Sequence, residues 1–64
     1  MKSFDSIIRE QLEAYQQTLY LAKVAGRADN VALVRAQIDA YRLGLATCLS
    51  DKYVARIFKD FELT

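Results

Sequence analysis

The stretch NVALVRAQIDAYRLGLATCL, residues 30–49, decides the fold class, because it reads as a helix that is apolar around most of its circumference. Its only charged residues are Arg35, Asp39 and Arg42. A helix on the surface of a globular protein normally carries one apolar stripe and a polar remainder. We therefore expect this helix to need neighbours on at least two sides, with water reaching only the strip formed by its three charged residues.

The composition limits the chain to one small helical domain over residues 1–64. It is 53% hydrophobic, contains no proline and two glycines, and carries a net charge of +1. It is thus too apolar for a disordered tail and too uninterrupted for a turn-rich β fold. A domain of this length hides only about 60% of the surface that its unfolded chain exposes. We expect an all-α fold that completes its core by oligomerisation.

The residues that could carry chemistry are few. One cysteine and no histidine exclude an internal disulfide and a Cys/His zinc site. Glu10 and Glu13 share a helix face but lack the histidine that accompanies glutamate in carboxylate-bridged di-iron bundles, so we interpret them as part of a solvated face. Cys48 falls on an apolar stripe, which predicts an inert core thiol. We expect no catalytic, metal-binding or cofactor-binding residue, no cofactor and no enzymatic activity.

The N-terminal sequence MKSFDSIIREQ bears on location. It has one lysine and no apolar run of the length of a signal peptide, and no stretch of about 18 apolar residues follows. The unpaired thiol fits a reducing compartment. We expect a cytoplasmic protein that does not contact membranes.

A first helix is predicted over about residues 4–25, with Ser3 or Asp5 as its cap. Two neighbouring apolar rows follow helical spacing. The core stripe is Phe4, Ile8, Leu12, Tyr15, Leu19 and Ala22, and the second row is Ile7, Ala14, Leu21 and Ala25. Tyr20 lies off both rows, so it either packs against a third element or marks an exposed contact surface.

A turn is predicted at residues 26–30, followed by a second helix over about residues 31–49. Gly26 can take the left-handed conformation that ends a helix, and Asp29 or Asn30 can cap the next one. Because helices joined by so few residues usually run antiparallel, we expect a helical hairpin. The stripe that should meet the first helix is Val31, Val34, Ile38, Tyr41, Leu45 and Cys48.

A separate row of small residues follows the second helix at every fourth position. It consists of Ala32, Ala36, Ala40 and Gly44, flanked by Leu33 and Leu43. Small residues allow another helix to approach closely. Alanine is also the best helix former at exposed positions, but Gly44 costs roughly 0.5 to 1 kcal/mol in a helix and therefore favours the close contact. Either a third helix, a second chain or both should cover this row.

A short third helix is predicted over about residues 51–61, with Ser50 as its cap. Lys52, Arg56 and Lys59 form a small basic ridge on it. Such a ridge could contact nucleic acid. Three positive charges offset by Asp51, Asp60 and Glu62 are, however, more typical of a solvated face.

These features together predict a non-enzymatic interaction or assembly module that self-associates through its apolar helical faces. Its partner would be a second copy or another helical protein. The residues expected at the contact are Ala32, Leu33, Ala36, Ala40, Leu43, Gly44 and Tyr20. The alternatives are a small nucleic-acid-binding regulator that uses the basic ridge, which we favour less, and an inhibitor that docks on a host protein.

Overall fold

The computed structural model describes residues 2–63, which form three α-helices. Helix α1 spans Phe4–Val24, α2 spans Ala28–Ala46 and α3 spans Asp51–Asp60. No strand occurs within residues 2–63. The expectation of an all-helical chain is confirmed, and so is the packing of α1 against α2 in a hairpin.

The ends of the helices follow from local hydrogen bonding. Ser3 caps α1, since its side chain accepts from the Ser6 N–H at 3.1 Å. Gly26 follows α1 in the left-handed region at φ 69°, as the sequence predicts. Ser50 caps α3 by accepting from the Tyr53 N–H at 3.2 Å. Both serines supply an acceptor to N–H groups that have no partner inside the helix.

Helix α2 begins and ends about three residues earlier than predicted. The expected cap at Asp29 or Asn30 is wrong, because Arg27 occupies the cap position and makes no side-chain capping bond. Asp29 lies instead in the first helical turn, where its charge favours the positive end of the helix dipole. At the other end, the Thr47 hydroxyl donates to the Gly44 carbonyl at 2.7 Å, just after the last helical residue.

The two long helices run antiparallel, and their middles meet at an aromatic pair. The Tyr15 and Tyr41 rings lie 5.7 Å apart with their planes tilted by 60°. Nearer the turn, Ala22 and Val31 line the same surface depression. The predicted stripe of α1 therefore faces the predicted stripe of α2.

Helix α3 packs on the hairpin and completes the core. It runs in the direction of α1, because Tyr53 near its start contacts Asp5 and the Phe61 carbonyl at its end accepts from Gln16. The core residues come from all three helices and are Ile8, Leu12, Val34, Ile38, Leu45, Val54, Ile57 and Phe58. Within residues 2–63, no buried side-chain nitrogen or oxygen lacks a partner. One chain thus closes an apolar core of its own.

Three residues differ from their predicted surroundings. Phe4 is 57% exposed because it occupies the first position of α1, beyond the reach of the core. Cys48 is exposed rather than buried, because α2 ends at Ala46 and the stripe does not continue to it. Arg42 is half-buried rather than part of a solvated strip, since its guanidinium lies 5.5 Å from the centre of the Phe58 ring.

Candidate functional site

The side of α2 that faces away from the core is apolar and uncovered. We call it the bare face, and its residues are Ala32, Leu33, Ala36, Ala40, Leu43 and Gly44. All six are exposed, with Leu33 at 59% and Leu43 at 70%. A Cβ added at Gly44 would meet no atom within 4 Å. Of the alternatives for covering this row, the third helix is ruled out, because α3 packs on the Arg42 side of α2.

A groove between α1 and α2 adjoins the bare face. Its volume is about 490 Å³, and its lining includes the apolar Leu21, Ala25 and Leu33 together with Arg27 and Asn30. None of its lining residues belongs to α3, so it lies on the uncovered side of the hairpin. The second apolar row of α1 is therefore exposed along this side, and Leu33 connects the groove to the bare face.

The outer edge of α1 carries a second exposed apolar patch. Tyr20 is 65% exposed and lies beside Leu21 and Gln17. Val24, one helical turn further on, is exposed to a similar degree. Of the two alternatives for Tyr20, packing against a third element is therefore wrong, and the residue lies on the surface.

The basic ridge of α3 is brought together as the sequence predicts. Lys52, Arg56 and Lys59 line one shallow depression together with Tyr53 and Ala55. The three cations are exposed and lie opposite the buried side of α3. Within residues 2–63, no carboxylate forms an ion pair with any of them.

A polar cluster joins the start of α1 to α3. The Tyr53 hydroxyl donates to the Asp5 carboxylate, and Arg9 Nε donates to the same carboxylate at 2.9 Å. The Arg9 guanidinium also lies 3.8 Å from Asp60. Sequence reasoning missed this cluster because Asp5 and Tyr53 are 48 positions apart and follow no helical spacing.

This cluster shifts the titration of its members. The hydrogen bond from Tyr53, followed by that from Arg9, holds the pKa of the Asp5 carboxyl below its ordinary value. The same bond raises the pKa of Tyr53, because it favours the protonated hydroxyl next to a negative charge. Burial raises the pKa of Tyr41 in the core. These groups hold the fold together, and none of them lies on the bare face.

The described residues form neither a cluster that could hold a metal ion nor a helix that could cross a membrane. Within residues 2–63, no group of three His, Cys, Asp or Glu side chains could hold a metal ion. None of the three helices has the length and apolarity needed to cross a bilayer. The features that call for a partner are therefore surfaces, above all the bare face.

Comparison with known proteins adds no relative. No protein-family model, no curated protein sequence and no solved structure matches this chain. Function must therefore be argued from the surfaces themselves.

Proposed function

We propose that this protein is a non-enzymatic interaction or assembly module that self-associates through its exposed apolar helical surface. The observation that carries the proposal is the bare face of α2, where Leu33 and Leu43 stand on either side of alanines and a glycine with no cover from the chain. An apolar patch of this kind, bordered by polar residues, is typical of a protein–protein contact.

The size of the molecular surface supports the proposal. The chain exposes 4771 Å², whereas a compact monomer of its mass exposes about 4,200 Å². Its radius of gyration is 12.2 Å, against about 11 Å for a compact domain of this length. The molecule is thus a flattened body with more surface than its mass requires, and association would remove that surface from water.

Sedimentation equilibrium over the micromolar range tests the proposal directly. We expect a mass above that of one chain and a melting temperature that rises with protein concentration, because association stabilises the folded state by mass action. A single-chain mass at every concentration, with a constant melting temperature, would contradict self-association.

The basic ridge of α3 favours a second candidate function, nucleic-acid binding. Its support is that Lys52, Arg56 and Lys59 share one exposed side without an acidic partner among residues 2–63. Cations that contact phosphates release counterions, so binding should weaken steeply with salt.

A mobility-shift titration separates the two candidates. If the ridge binds nucleic acid, replacing its three cations by alanine should abolish the shift. The matched control removes the same charge elsewhere, through Lys2→Ala, Lys23→Ala and Arg27→Ala. An equal loss in both triple variants would indicate attraction by net charge rather than a site.

A further inference from the structure

The bare face of α2 has the chemistry of an interface centre. Its residues are uncharged. Asp29 lies on the same face one helical turn before Leu33, and Arg35 and Asp39 lie along one edge. The centres of protein interfaces are likewise depleted of charge and edged by polar residues. The helix that packs on this face should therefore be apolar, with small and large side chains arranged in a similar way and with charges along one edge.

The amount of surplus surface is close to the area that one protein–protein interface covers on each partner. The chain exposes about 600 Å² more than a compact monomer of its mass. A standard interface buries roughly 800 Å² on each partner. A single interface of that size would thus remove the whole surplus, and a second copy carries the required apolar helix itself.

The leucines of the bare face make it self-complementary. Leu33 and Leu43 lie on opposite edges of the row, about 40° to either side of its middle and about 15 Å apart along the helix. Position 38 is halfway between them, and it is also halfway between Ala36 and Ala40. A two-fold axis beside position 38 would therefore bring Leu33 level with Leu43 of the second copy. The two leucines would lie on opposite edges of the contact between the helices, which we call the seam.

The charges along the edge select the direction of the second helix. In an antiparallel pair, Arg35 and Asp39 of the second copy lie on the same edge as Arg35 and Asp39 of the first, in reversed order. Each arginine then stands near the other copy's aspartate. In a parallel pair the two charged edges lie on opposite sides of the seam, so these cross-pairs cannot form. Antiparallel helix dipoles favour the same arrangement.

Resting on the proposed self-association, we propose that the chain forms a two-fold dimer in which α2 packs antiparallel against α2 of a second copy, with Ala36 facing Ala40 across the seam. The small side chains at the centre let the helix axes approach to about 8 Å. Helix α3 lies on the far side of each hairpin and takes no part in the contact.

A matched pair of substitutions tests which surface is used. Ala40 lies at the centre of the bare face, and Ala14 is another exposed alanine, on the groove side of α1. Ala40→Leu should raise the dimer dissociation constant at least tenfold, because added atoms force a close helix pair apart. Ala14→Leu should leave it within about twofold, since both changes cost little in helix propensity. The reverse result would keep self-association and overturn this interface.

Oxidative cross-linking tests the direction of the helices. In a Cys48→Ser background, Ala36→Cys and Ala40→Cys proteins are oxidised separately and as a mixture. Facing positions would fall within the 4.4–6.8 Å between Cα atoms that a disulfide requires, whereas Ala36 opposite its own copy would be offset by about 6 Å along the axis. We expect cross-linked dimers mainly in the mixture. Efficient cross-linking of each variant with itself would show a parallel pair and overturn the proposal.

A charge swap supplies an independent test at the edge. Asp39→Arg places two arginines together at each of the two Arg35–Asp39 contacts between the copies. The repulsion should weaken the dimer about tenfold at low salt. The double variant Arg35→Asp with Asp39→Arg should restore most of the affinity. Failure of the swap to restore it, while Asp39→Arg weakens the dimer, would overturn the antiparallel register. A single-chain mass for the unchanged protein would instead overturn self-association itself.

Discussion

At the scale of single residues, the two glycines have different backbone conformations. Gly26 has φ 69°, where a Cβ is strained whatever the surrounding space. Gly44 lies inside regular helix near the end of α2, and a Cβ there would meet nothing within 4 Å of the same chain. The same substitution should therefore have opposite effects at the two positions.

We expect Gly26→Ala to lower the free energy of unfolding by about 1 kcal/mol, because the Cβ of alanine is sterically strained in the left-handed conformation. We expect Gly44→Ala to raise it by about 0.5 kcal/mol, because alanine is the better helix former. Urea denaturation at concentrations low enough to keep the chain monomeric measures both. A loss of stability at Gly44 under those conditions would mean that its surface is not open within the chain.

The phenylalanines provide a second contrast between buried and exposed positions. Phe58 is fully buried, with Tyr41 and Arg42 beside its ring, whereas Phe4 is mostly exposed. Phe58→Ala should cost about 3–5 kcal/mol of unfolding free energy, which is much of what a domain of this size has. Phe4→Ala should cost under about 0.5 kcal/mol. Far-ultraviolet circular dichroism during urea titration compares them, and equal losses would place Phe4 in the core after all.

At the scale of the elements, α3 depends on its attachments. A ten-residue helix is not stable on its own in water, so α3 persists through the core contacts of Val54, Ile57 and Phe58. The hydrogen bonds from Tyr53 to Asp5 and from Gln16 to the Phe61 carbonyl fix both of its ends on α1. The first of these attachments contains a group that titrates in acid.

We expect acid to weaken the attachment of α3. Because the folded pKa of Asp5 lies below its ordinary value of 3.8, its contribution to stability is fully present above that value. The contribution is lost as the pH falls through the lower, folded pKa. The melting temperatures of the unchanged protein and of Tyr53→Phe should therefore differ at neutral pH and converge in strong acid.

Lys52→Ala, an exposed change on the same helix, serves as the control for that comparison. Its melting temperature should follow that of the unchanged protein across the same pH range. A difference between Tyr53→Phe and the unchanged protein that stays constant into strong acid would show that Asp5 does not accept this bond.

Helix periodicity and capping residues allowed three helices and a hairpin to be predicted, because Ser3, Gly26 and Ser50 act through local rules. The start of α2 was misplaced because Arg27 makes no side-chain cap that a pattern could indicate. Helix α3 covers the side of α2 that carries Arg42 through tertiary contacts, such as that between Phe58 and Arg42, and these contacts have no sequence signal. The bare face was predicted as a row, whereas the sequence left open whether α3 or a second chain covers it.

At the scale of the whole molecule, a closed core coexists with an uncovered side. Leu12 and Phe58 are fully buried within one chain, while the molecule extends over 34 × 23 × 16 Å. These core side chains are therefore shielded from water within a single chain. Folding and association should be separable on dilution.

We expect small-angle X-ray scattering on dilution to reach a folded monomer. Its radius of gyration should approach that of the single chain, whose Cα atoms give 12.2 Å, because the core is complete before association. An unfolded chain of this length would give about 24 Å. A direct passage from dimer to values near the unfolded limit would show that the second copy is required for folding.

The order of the helices in space, in which α2 contacts both its predecessor and its successor along the chain, has a kinetic consequence. Turns of a few residues cost little closure entropy, and domains built from such local contacts fold within microseconds to milliseconds. The chain also has no proline, so no slow prolyl isomerisation delays it. A nascent copy would bury Phe58 almost as soon as it leaves the ribosome, which shortens the period in which its core side chains could aggregate.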